Sequence, residues 1–211
     1  MSRKIIVING PGGAGKGTFI KICRLLLKPS GLEVFNFSSI TPIKKKLVDD
    51  GIWDGKTEKT EEIRKKMVQL KQEMINQGDI PLNYLLRKCS EVKNGIIFSH
   101  IREASEIKKF CAACNKQFGS PALTLHYDRI DNSMPTFNSG VDLRSQTREF
   151  ENYDYEIEIN EFGLEKLIDI AKGFLVNLYP DLKFYLGIDL KDLDNADLHT
   201  PFDDEKSIGV I

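Results

Sequence analysis

Short apolar runs alternate along this chain with longer stretches in which apolar residues recur every three or four positions. That alternation predicts a parallel β-sheet covered by helices. Five runs read as strands, at about Lys4–Asn9, Glu33–Phe37, Gly95–Ser99, Ala122–Tyr127 and Tyr153–Ile159. The first helix is expected over Gly15–Leu27, with Phe19, Ile22, Cys23 and Leu26 on one face, stopping near Pro29-Ser30-Gly31. Thr41 is read as the cap of a short helix with Pro42 in its first turn. A long polar helix follows over Thr60–Gln77, with Met67, Leu70 and Met74 as its inward stripe and Gly78-Asp79 as its break. Pro81 opens another helix that ends near Lys93-Asn94-Gly95, and further helices are expected over Ala104–Asn115 and Gly163–Leu178. Between Asp128 and Asn152 the chain is polar, with no sustained period. A stretch of this length exceeds an ordinary connection and reads as a lid or a disordered segment.

The first strand runs straight into Gly10-Pro11-Gly12-Gly13-Ala14-Gly15-Lys16-Gly17-Thr18. A glycine-rich turn leaves backbone N–H groups free to surround a phosphate, the following helix adds its positive dipole end, and Lys16 adds a full charge. The spacing fits the G-x-x-x-x-G-K pattern of a P-loop in its strand–loop–helix context. One departure is visible: Gly17 fills the usual Ser/Thr slot, and the hydroxyl comes one residue later at Thr18. These residues predict a nucleoside triphosphate site and a P-loop NTPase fold, a three-layer αβα sandwich on a five-stranded parallel sheet.

Ligands of open parallel sheets collect at the carboxyl ends of the strands. The second strand delivers Ser38, Ser39 and, a turn later, Lys44; the third delivers Ser99, His100 and Arg102; the fourth delivers Asp128 and Arg129. The polar stretch adds Arg144 and Arg148. A transferring phosphoryl group carries charge on its equatorial oxygens, so its catalysis needs a cationic rim of this kind. Arginine suits the task because its guanidinium binds two oxygens at once.

Net charge bears on partners. Thirty Lys+Arg against 31 Asp+Glu leave −1 over 211 residues, which argues against a dedicated nucleic-acid binder. No stretch approaches the roughly 20 apolar residues of a membrane span. The N-terminus enters a strand at once, with no room for a signal peptide, so the expected compartment is the cytoplasm. Cys23, Cys89, Cys111 and Cys114 are then reduced thiols, and Cys111-Ala112-Ala113-Cys114 is a lone C-x-x-C read as packing. The tail over 181–211 is acidic. Folding over the domain, contact with a second subunit in a homodimer and partial disorder all fit it.

In order along the chain, five segments resemble the P-loop nucleoside monophosphate kinases, and most closely the phage-type deoxynucleoside monophosphate kinases. They are the P-loop; Phe37-Ser38-Ser39-Ile40-Thr41-Pro42-Ile43-Lys44; Ile101-Arg102-Glu103-Ala104-Ser105-Glu106; Arg129; and Tyr153-Asp154-Tyr155-Glu156-Ile157-Glu158-Ile159-Asn160 with the helix after it. The likeness spans about residues 4 to 178, and of its parts the P-loop alone is specific by itself. It implies a kinase domain over 1–180, with a monophosphate-binding insertion at about 40–94 and a lid at about 128–152. It also implies ATP held by Gly12, Gly13, Ala14, Gly15, Lys16, Gly17 and Thr18, with Mg2+ as the companion ion. Lys16, Arg102 and Arg129 would be catalytic; Ser39, Lys44, Arg64, His100 and Arg102 would face a small-molecule nucleotide acceptor; Arg144 and Arg148 would belong to the lid. Trp53 and Gln69 are further contributors to the acceptor region, Trp53 being equally suited to packing.

Where the family places a metal-organising aspartate after the third strand, this chain has Ser99-His100. Imidazole is a poor partner for Mg2+, which prefers oxygen. Thr18, Glu103 and Asp128 are the candidates to compensate. His100 reads either as a structural histidine or, charged near neutral pH, as a phosphate contact; His126 and His199 read as structural. Two alternatives stand beside the monophosphate kinase: a P-loop kinase of another phosphorylated metabolite, and a nucleotide-binding module with little catalysis.

Overall fold

In the computed structural model, residues 3–57, 59–130, 147–160 and 163–184 are described. The five predicted strands form one parallel sheet: β1 Lys4–Asn9, β2 Val34–Ser38, β3 Ile96–His100, β4 Leu123–Arg129 and β5 Tyr155–Ile159, in the order β2-β3-β1-β4-β5. The helices are α1 Lys16–Leu27, α2 Thr41–Asp49, α3 Glu61–Asn76, α4 Ile80–Glu91, α5 Ala104–Phe118 and α6 Leu164–Leu178. The chain is therefore the expected three-layer αβα sandwich.

Strand alternation sorts the core into two layers. Ile6 and Ile8 of β1, with Phe98, Leu125 and Tyr127, pack against α1 and α6. Ile5 and Val7 face the other way, with Phe37 and Ile97, onto Leu85 and Cys89 of α4 and Ile107, Phe110 and Cys114 of α5. A central parallel strand buried on both faces reads as one continuous apolar run, as Ile5-Ile6-Val7-Ile8 does. A third, smaller cluster joins α2 to α3 through Ile43, Leu47 and Met74, with Met67 and Leu70 beside them. The predicted inward stripe of the polar helix is thus its buried face. Trp53 packs into this same cluster and donates its indole N–H to the Thr57 carbonyl at 3.0 Å.

Phe19 fixes the start of α1. Its ring lies 5.1 Å from Tyr127, 5.5 Å from Phe174 and 6.3 Å from Phe98, and it is wholly buried. Truncating such a ring costs about 3–5 kcal/mol, so the helix that carries the glycine loop is clamped one turn from it.

Boundaries differ from the reading in modest ways. Thr41 does not cap α2; the cap is Ile40, without a side-chain bond, and Thr41 and Pro42 are the first helical residues. Pro42 is tolerated there because the N–H it lacks has no intrahelical partner in a first turn. Thr60 does cap α3, accepting from the Ile63 N–H at 3.3 Å. α5 runs on to Phe118 and stops at Gly119, which has φ 75°. Leu182, in the short 3-10 turn Pro180–Phe184, is fully buried against the first core layer, so the packed core reaches at least that far. Among the described residues, no helix is long and apolar enough to cross a membrane.

Candidate functional site

The strand order reverses direction at β1, which lies between β3 and β4. The glycine loop leaves the carboxyl end of β1 at this switch point, where parallel sheets bind ligands. Gly10 makes the exit possible. Its φ is 141°, and a Cβ there would lie 1.9 Å from the Tyr127 carbonyl oxygen of β4. Gly13 and Gly15 also take positive φ, 75° and 93°, and Gly15 is the N-cap of α1. Lys16 turns back over the loop, its Nζ donating to the carbonyls of Gly10 at 2.7 Å and Pro11 at 2.6 Å. A full positive charge is thereby held within the loop, beside the N-terminus of α1.

Beside the loop opens a cavity of about 550 Å3. From the glycine loop it takes Gly10, Lys16 and Gly17; from the β2–α2 corner, Ser39 and Lys44; from the β3–α5 corner, His100 and Arg102; and from α3, Arg64. The structure therefore brings together most of the acceptor-side residues predicted from sequence. Ser39 is buried, and its N–H donates to the His100 carbonyl at 3.1 Å, tying the ends of β2 and β3 together.

Others stand apart. Gly12, Gly13, Ala14, Gly15 and Thr18 belong to the loop and first turn without lining this cavity, and Arg129, Asp128 and Arg148 do not line it either. Asp128 is wholly buried near the carboxyl end of β4. Arg148 pairs with Glu158 of β5 on the surface. Gln69 is exposed and bonds to Glu73 along its own helix at 2.8 Å. Arg144 and His199 lie outside the described residues, as does most of the predicted lid.

His100 is not the chargeable group that one reading made it. Burial, reinforced by the charges of Lys16, Arg102 and Lys44, lowers its pKa to about 3, so the ring is neutral at physiological pH. Its Nε2 lies 2.7 Å from the Asn36 Oδ1 of β2. With that oxygen as acceptor, Nε2 carries the proton. Lys16, Arg102 and Lys44, from three adjacent strand ends, line one cavity with this ring. His126 is likewise held neutral, its pKa lowered by burial and by Arg148.

Charge in the cavity is strongly one-sided: seven cationic side chains line it against two carboxylates. Sequence reasoning missed several of these. Lys59, Lys65 and Lys71 join Arg64 on the α3 side, with Glu61. Positions 61, 64, 65, 68 and 71 share one helical face by their spacing, which was the available signal. Lys71 is pinned: its ammonium lies 2.6 Å from Glu103 and 2.9 Å from Glu106, tying α3 to the start of α5. Burial works to raise both carboxyl pKa values. At Glu103 burial is the largest single influence, but the Lys71 charge and the hydrogen bonds that the carboxylate accepts together outweigh it and hold the pKa low. Glu106, next to the Glu103 charge, stays raised.

The cysteines take no part. Burial pushes the Cys89 and Cys111 thiols up to about 11 and those of Cys23 and Cys114 further, so all four stay protonated.

In sequence, no family model and no curated protein matches the chain. Solved structures with a similar course of the chain include the tunicamycin resistance protein of Deinococcus radiodurans, 16% identical, with 82% of this chain and 95% of that one covered at a TM-score of 0.45. A fungal RNA kinase is 12% identical over 93% of this chain and 100% of that one, TM-score 0.40. A de novo designed protein of P-loop NTPase fold is 14% identical over 94% and 98%, TM-score 0.36. With scores and identities this low, what those proteins act on does not carry over to this chain.

Proposed function

We propose that this chain is an ATP-dependent kinase whose acceptor is a nucleoside or deoxynucleoside monophosphate. The observation that carries the reading is the convergence of Lys16, Lys44 and Arg102 about His100, beside a glycine loop that admits no side chain at Gly10. Lys16 holds the β- and γ-phosphates of the donor. Lys44 and Arg102 orient the acceptor phosphate, whose oxygen attacks the γ-phosphorus in line while the bond to the ADP oxygen breaks. No covalent protein intermediate is needed, since positioning and fixed positive charge supply the catalysis. Arg129 and Arg148, outside the cavity wall, are assigned to the transferring phosphoryl group and to the lid by resemblance alone.

Mg2+ binds proteins through one or two oxygens and leaves its other positions to substrate phosphates and water. Among the described residues, no group of three or more His, Cys, Asp or Glu side chains is arranged to hold a metal. His100, a neutral ring bonded to Asn36, supplies no oxygen. The Thr18 hydroxyl and the buried Asp128 carboxylate, on the helix and strand that follow and flank the loop, are the oxygen donors that fit this modest demand. When bound, the ion neutralises charge developing on the transferring group.

A second reading, transfer to another phosphorylated metabolite, is favoured by the surplus of cations along α3, which suits an acceptor richer in phosphate than a monophosphate. A coupled ATP-consumption screen with Mg2+ over ribo- and deoxynucleoside monophosphates, with a no-acceptor control, tests the proposal. Turnover on one or two monophosphates supports it. Tight ATP binding with silence on all of them refutes the acceptor assignment and leaves the second reading or a non-catalytic nucleotide-binding module.

A further inference from the structure

Asn9, the last residue of β1, is 1% exposed and makes contacts to three separate loops. Its Oδ1 accepts from the Gly10 N–H at 2.7 Å, which fixes the orientation of the amide. Its Nδ2 lies 2.8 Å from the Tyr153 hydroxyl, 3.1 Å from the Arg102 carbonyl and 3.3 Å from the Thr147 carbonyl. Two hydrogens cannot serve three acceptors fully. Tyr153 resolves this by donating its own hydroxyl to the Thr147 carbonyl at 2.9 Å, leaving the amide hydrogens for Tyr153 and Arg102. Tyr153 is held from its ring side by His126, at 5.1 Å, and Phe150, at 4.9 Å. His126 Nε2 adds a 3.3 Å contact to the Thr147 hydroxyl. Apolar side chains would satisfy a strand end at lower cost, since each buried polar group must find its partners.

Resting on the reading of the glycine loop as the ATP site, we propose that Asn9 is a positioning residue. It ties the donor loop to the turn that carries Arg102 and, through Tyr153, to residues 147–153. One amide thereby sets the Arg102 backbone against the first residue of the loop, and a shift at Gly10 on nucleotide binding is passed to both neighbours. Asn9 itself acts through Arg102 rather than on substrate.

Amide hydrogen exchange with and without ATP tests this in the full-length protein. In the unsubstituted protein, ATP slows exchange in residues 10–18, 101–104 and 147–153. Tyr153→Phe keeps the ring and removes only the hydroxyl link, so the response at 147–153 is weakened to what the direct 3.3 Å contact of Asn9 to the Thr147 carbonyl can carry, while those at 10–18 and 101–104 persist. Asn9→Ala loses both distant responses. Where turnover is measurable, Asn9→Ala lowers kcat about tenfold, the worth of one or two lost hydrogen bonds, and adds little further loss in an Arg102→Ala background. An unchanged response at 147–153 in Tyr153→Phe overturns the proposal, as does full additivity with Arg102→Ala. If Asn9→Ala does not fold, Tyr153→Phe still decides the matter. Failure of the unsubstituted protein to bind ATP removes every response at once, which marks failure of the nucleotide reading rather than of the coupling.

Discussion

Protonation of His100 offers a direct test of the site's electrostatics. Burial and the three surrounding cations take its pKa from 6.5 to about 3. The folded value lies below the unfolded one, so as pH falls the unfolded chain takes up this proton first. The contribution to stability is complete above pH 6.5 and is lost on acidification at up to about 1.4 kcal/mol per pH unit until the folded value is reached. Between pH 7 and pH 5 that amounts to about 2 kcal/mol. His126 and the carboxylates titrate too, so the measurement is a difference. Urea unfolding of the unsubstituted protein and of His100→Gln, at steps from pH 7.5 to pH 4.5, isolates the one ring. The stability gap between them should fall by about 2 kcal/mol from pH 7 to pH 5. NMR titration of the His100 ring should show no inflection above pH 5. Parallel stability curves, or an inflection near 6.5, would refute the claim that cations and burial converge there.

Lys16→Ala should weaken ATP binding ten- to a hundred-fold, about the worth of a charge-assisted hydrogen bond or two, with an unchanged melting temperature; calorimetric titration checks both. Gly10→Ala cannot place its Cβ, which meets the Tyr127 carbonyl at 1.9 Å; it should cost about 3 kcal/mol or more and abolish nucleotide binding, and wild-type unfolding behaviour would disprove the close approach. Lys71→Met leaves Glu103 and Glu106 facing each other without their shared cation. Because these groups are partly solvated, the loss should be about 1–2 kcal/mol at pH 7 and smaller at pH 4.5, as seen in denaturant midpoints. Arg102→Ala should lower turnover with little change in ATP affinity, read from kcat and direct binding together.

The strand pattern and the glycine loop were legible because they are local. Ile5-Ile6-Val7-Ile8 followed by Gly10 to Thr18 carries its own period and turn chemistry. The partner of His100 was not legible, since Asn36 lies 64 positions away and meets it only through the parallel register of β2 on β3, Ser38 against His100. The same holds for Asn9, whose amide reaches Arg102 in one loop and Thr147 and Tyr153 in another. Apart from Arg64, the charged residues of α3 read as a solvated face, and most of the helix is one. Lys71 departs from that rule because α3 lies across the start of α5, a tertiary fact that no helical period contains.

Cysteine placement gives the molecule a built-in reporter of how its two layers come apart. Cys23 sits in the layer beneath α1 and α6, whereas Cys89 and Cys114 sit in the layer beneath α4 and α5. All three are sealed from solvent, and only Cys111 is partly open. A thiol reagent applied in pulses should therefore modify Cys111 at once and the other three only when their own layer opens. Mass analysis of each site would then show whether the side of the sheet that carries the glycine loop and the opposite side unfold as one unit or in sequence.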